Sequence, residues 1–89
     1  MPYIKKEDRK RFSKAIESAL DAFGEDWCAG DLNYLFHTIA VNLFSRRRSY
    51  QTIADIESAC KGSYDEFWRL HGAVYEEEKR EENGDVEIF

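Results

Sequence analysis

Eighty-nine residues with a formal net charge of −5 and a sequence pI near 5.0 leave room for one domain and exclude a general nucleic-acid binder, which is basic over the whole domain. With 43% hydrophobic beside 35% charged residues, the chain is too apolar to stay disordered. A chain this short buries only about 60–65% of its unfolded surface, so a partner subunit would add stability.

The N-terminal residues lack the apolar run of a secretory signal, and no stretch approaches ~20 consecutive apolar residues. A cytoplasmic protein without a membrane span is expected, with Cys28 and Cys60 reduced. These two have no second ligand pair near either, which is not a zinc pattern. Each is expected as a buried small hydrophobe.

Residues 1–6 read as an extended lead-in, because Pro2 cannot sit inside a helix while Tyr3 and Ile4 can anchor. The first helix is expected over about 7–23. Phe12, Ala15, Ile16, Ala19, Leu20 and Phe23 form its apolar stripe, and Gly24 is placed to end it in the left-handed region. Trp27, in the connector that follows, is expected to plug the end of a bundle.

Asp31 is expected to N-cap a central helix over about 31–45, with Gly30 allowing the turn into it. Leu32, Phe36, Ile39 and Leu43 repeat at helical spacing, and Leu35 and Phe44 widen the stripe. A helix apolar over so much of its circumference has to be covered on two sides. It is therefore expected to form the centre of a small all-α, three-helix bundle. Arg46, Arg47 and Arg48 then complement the negative helix end; a phosphate-binding patch is the sharper alternative.

Ser49 opens a third helical segment over about 50–82. Ile53, Ile56, Cys60, Tyr64, Phe67, His71 and Val74 keep steps of three or four throughout. The phase survives Gly62, which predicts one long helix with a weak point there; a break giving a fourth helix is the runner-up. Asn83-Gly84 is a stop signal, and residues 83–89 read as a short extended, docked tail.

A helix this long would overhang its neighbours. Its face carrying Phe67, Trp68, His71, Val74 and Tyr75 then lacks cover from its own chain, and such apolar surface marks an interface. Residues 1–14 have a local charge of +4, from six Lys or Arg against Glu7 and Asp8. Residues 76–87 have −5, from seven Asp or Glu against Lys79 and Arg80. A two-fold homodimer would bring these ends together.

The sequence offers no catalytic, cofactor-binding or metal-ligand motif. His37 has no carboxylate one turn away, and His71 sits between Phe67 and Tyr75 as an interface or core histidine. Glu78 shares a helix face with Glu81 and Glu82. All-α nucleoside-triphosphate pyrophosphohydrolases hold Mg²⁺ with such pairs, but need a second acidic pair on a facing helix. Here only Glu17 with Asp21 has that spacing.

Met1-Pro2-Tyr3-Ile4, Gly30-Asp31-Leu32-Asn33-Tyr34, Tyr50 with Ile53, Glu66-Phe67-Trp68-Arg69, Tyr75-Glu76 with Lys79, and Asn83-Gly84-Asp85-Val86 together resemble an uncharacterised family of small helical proteins from bacterial and phage genomes. The resemblance covers most of the chain except residues 8–29. It implies a helical fold and an association with mobile or phage DNA, and supplies no activity. Val74 stands where that family often shows proline, which removes an expected kink; residues 87–89 extend beyond its pattern. Of the shared polar residues, Asp31, Asn33, Tyr34, Glu66 and Arg69 are expected to form a folding network. In it Arg69 pairs a carboxylate, and Asn33 and Tyr34 fix the helix entry.

The function expected is a non-enzymatic helical protein–protein interaction module, a homodimer acting on another protein. One version is an acidic phage-type protein that occupies the basic groove of a host or defence protein; an acidic nucleic-acid-mimic inhibitor is an alternative. A Mg²⁺-dependent nucleotide hydrolase using the acidic C-terminal helix is the alternative of a different class.

Overall fold

The computed structural model describes residues 4–84, which are helical apart from short connections, with no strand among them. The chain is all-α and carries the long C-terminal helix that its spacing predicts. Its contacts divide it into two units, residues 1–48 and 49–89.

The first unit opens with a 3₁₀ helix, Lys6–Phe12, which passes into α1, Ser13–Phe23. One continuous α-helix was the expectation. The Asp8 N–H bonds the Lys5 carbonyl three residues back at 2.9 Å, which is 3₁₀ winding. Gly24 ends α1 at φ +67°, and its N–H reaches the Leu20 carbonyl.

α2 spans Ala29–Arg46 and begins two residues before the expected start. Cys28, not Asp31, is its N-cap. Asp31 acts from the third helical position, where its Oδ2 accepts the Cys28 N–H at 2.9 Å while the Cys28 side chain accepts from the Asp31 N–H. This is the reciprocal arrangement of a capping box. The cap keeps Cys28 at the surface, and Cys60 is exposed too, so neither thiol is the buried hydrophobe expected. At the far end Arg48 lies 5.2 Å over the Phe44 ring, so one arginine of the triplet stacks on its own helix.

Within this unit α1 meets α2 around a recess lined by Ala19, Ala22, Phe23, Asp31, Tyr34 and Leu35. Trp27 closes the connector by setting its ring edge-on to Phe23, with centroids 6.4 Å apart. α1 has 11 residues, about 16 Å, against 18 residues and about 27 Å for α2. The unit therefore cannot cover α2 along its length, and Leu32, Phe36, Ile39 and Leu43 stay exposed. The two-sided cover expected for this helix is not supplied by its own unit.

The second unit is one rod. α3, Tyr50–Phe67, runs into a π-helical turn, Trp68–Gly72, and on into α4, Ala73–Asn83. Ser49 caps it: its Oγ accepts the Thr52 N–H at 3.0 Å and lies 3.0 Å from Thr52 Oγ1. Such a cap contributes about 1 kcal/mol. Thr52, 3% exposed, is the one fully buried side chain among the described residues. Gly84 ends the rod at φ +81°, bonding Arg80, as the Asn83-Gly84 stop predicts. The expected extended tail falls on residues 85–89, outside the described residues.

Gly62 sits in regular α-helix, so the helix continues through it as expected and the runner-up break does not occur. The irregularity falls ten residues later, at the other glycine of the helix. The Ala73 N–H bonds the Trp68 carbonyl five residues back, which is π winding. The Trp68 indole lies against Gly72: a Cβ there would overlap the ring at Cε3 and stand 2.9 Å from Cζ3.

One extra residue in a turn rotates everything after it by about 100° relative to α phase. Val74 therefore leaves the stripe of Tyr64, Phe67 and His71, and Tyr75 takes its angular place, followed by Lys79. Replacing the family's proline by Val74 was expected to remove a kink. The winding nonetheless changes directly ahead of Val74.

Candidate functional site

The five residues expected as an interface all lie on or beside the π turn. Phe67 and His71 are in ring contact, with centroids 5.6 Å apart. Trp68 covers Gly72, and Tyr75 holds the Lys79 ammonium 5.5 Å above its ring. Phe67, Trp68, Val74 and Tyr75 are exposed, and so is His71. Leu70, which periodicity did not single out, is in the turn and exposed as well.

This is a surface made of large apolar and aromatic groups with a few polar ones at its edge. Arg69 Nη2 pairs with Glu66 Oε2 at 2.8 Å along that edge. Further on, Arg80 pairs with Glu77 at 3.3 Å and Lys79 with Glu82 at 2.9 Å. Pairs this exposed contribute only a few tenths of a kcal/mol each and shape the rim more than they hold the fold.

Of the residues expected as a polar network, Asp31 caps α2 through Cys28 in the first unit, and Glu66 pairs with Arg69 in the second. The side chains of Asn33 and Tyr34 are exposed and make no hydrogen bond among the described residues. The helix entry is held by Cys28 and Asp31 instead. The signal that sequence reasoning passed over was the Asp three residues after a non-helical position, as in any capping box.

Among the described residues no group of three or more His, Cys, Asp or Glu side chains is placed to hold a metal ion. No helix there is long and apolar enough to cross a membrane. Adding excess MgCl₂ is expected to leave the thermal midpoint unchanged, since a ligand stabilises only the state that binds it. A rise in that midpoint that Glu78→Ala removes would restore the hydrolase reading.

A family model described as a domain of unknown function, DUF6899, matches residues 1–86. The chain belongs to the DUF6899 family. The match takes in the capped α2, the π turn and the acidic helix end of this DUF6899 chain. No curated protein and no solved structure matches it.

Proposed function

We propose that this DUF6899 chain is a cytoplasmic, non-enzymatic module for protein–protein interaction, one that works by laying its exposed helical faces on a partner chain. It is the kind of small acidic protein that a phage or prophage uses to occupy a basic groove on a host protein. The observation that carries the reading is that neither unit buries a single apolar side chain among its described residues, although both present ordered apolar stripes. Surface of this kind, rimmed by charges, belongs to interaction sites.

Site-specific photocrosslinking in the cell of origin tests it. A photoreactive residue replacing Trp68 or Tyr75 is expected to give a discrete protein adduct, while the same residue replacing Glu57 gives none. If all three positions behave alike, or none yields an adduct, the interaction reading is wrong.

A further inference from the structure

The charge of the chain is divided at the unit boundary. Residues 1–48 hold nine Lys or Arg and seven Asp or Glu, a net +2; residues 49–89 hold four and eleven, a net −7. Each excess is concentrated. Lys5, Lys6, Arg9, Lys10 and Lys14 lie exposed around the 3₁₀ turn, and none of them forms an ion pair among the described residues. α4 matches Glu77 and Glu82 with its own cations and leaves Glu76, Glu78 and Glu81 unpaired there.

Apolar groups accompany both excesses. Ile4, Phe12 and Ile16 line a recess of about 290 Å³ with Arg9 at its rim. An apolar floor beside a guanidinium suits an exposed apolar group near carboxylates, and α4 offers Tyr75, with Lys79 at its ring and Glu78 one turn on. The rod from Tyr50 to Asn83 has 34 residues, about 50 Å, and no helix of the first unit exceeds 18. No single helix of the chain can cover it from end to end.

We infer that this chain pairs with a second copy of itself, with the basic 3₁₀ turn of each protomer set against the acidic α4 of the other in a two-fold pair. This rests on the interaction reading above and adds the form in which the module meets its target. In a two-fold pair the contact is isologous, so the complementary pairing forms twice. The charges set approach and register, and the aromatic groups beside them supply affinity.

Sedimentation equilibrium with charge reversals tests the inference. One variant carries Lys6→Glu, Arg9→Glu and Lys10→Glu; the other carries Glu76→Lys, Glu78→Lys and Glu81→Lys. Wild type is expected to dimerise, and its Kd to rise about tenfold or more when salt screens the contact, between roughly 0.05 and 0.5 M NaCl. Each variant alone meets like charge with like and is expected to stay monomeric. An equimolar mixture is expected to form a heterodimer, because both of its contacts are again complementary.

Restoration in the mixture also shows that each variant folds. A wild type that is monomeric throughout overturns the inference and leaves the module reading intact with a different partner. A dimer indifferent to salt and to reversal overturns it as well. Rescue only when both sets of reversals share one chain makes the contact intramolecular and overturns it equally.

Discussion

Trp68→Ala is expected to weaken association of this chain by about 30-fold or more, while Tyr50→Ala changes it less than about threefold. Both residues are large, aromatic and on the same rod, so size does not separate them. Preorganisation does. Tyr50 is 92% exposed, whereas Trp68 is 47% exposed and its ring rests on Gly72. A ring already held by its own helix loses less freedom on binding, and Trp in such a setting is the usual energetic anchor, contributing 2 kcal/mol or more when truncated. At about 1.4 kcal/mol per factor of ten, that gives the factor of roughly 30. Equal effects at the two positions, measured by sedimentation or titration, would remove Trp68 as the anchor.

The second large effect is expected from Gly72→Ala. Alanine favours helix over glycine by about 1 kcal/mol, so helicity should hold or rise. The added Cβ overlaps the Trp68 ring, which must leave its seat and stand in water. In a Trp27→Phe background, emission from Trp68 is expected to shift to longer wavelength, and association to fall about tenfold, since each 1.4 kcal/mol of lost anchoring is a factor of ten. Unchanged emission and unchanged association would mean that the ring does not depend on the glycine.

The helices were legible in the sequence because their signals are local. Gly24 and Gly84 stop them, Ser49 starts one, and a three-and-four apolar spacing runs between. What escaped reading was also local but of another kind. A 3₁₀ start and an α start differ by one residue in their hydrogen bonds, and a hydrophobic pattern does not register that. The π turn was hidden because the spacing of Phe67, His71 and Val74 assumes constant winding, and so cannot report a change in it. Glycine was weighed at Gly62 for its cost to a helix. Gly72 matters for a different reason, the room it leaves for the indole four residues earlier. The long apolar stripe of α2 implied cover, and the sequence could not say that its own unit is too short to give it.

The π turn makes the long helix a two-directional element: its two halves look out along different bearings, so each can hold its own neighbour. Excising one residue between Trp68 and Gly72 would bring both halves back to a common seam, the geometry of a plain coiled-coil strand. A chain altered in that way should trade its selective partner for indiscriminate side-by-side pairing.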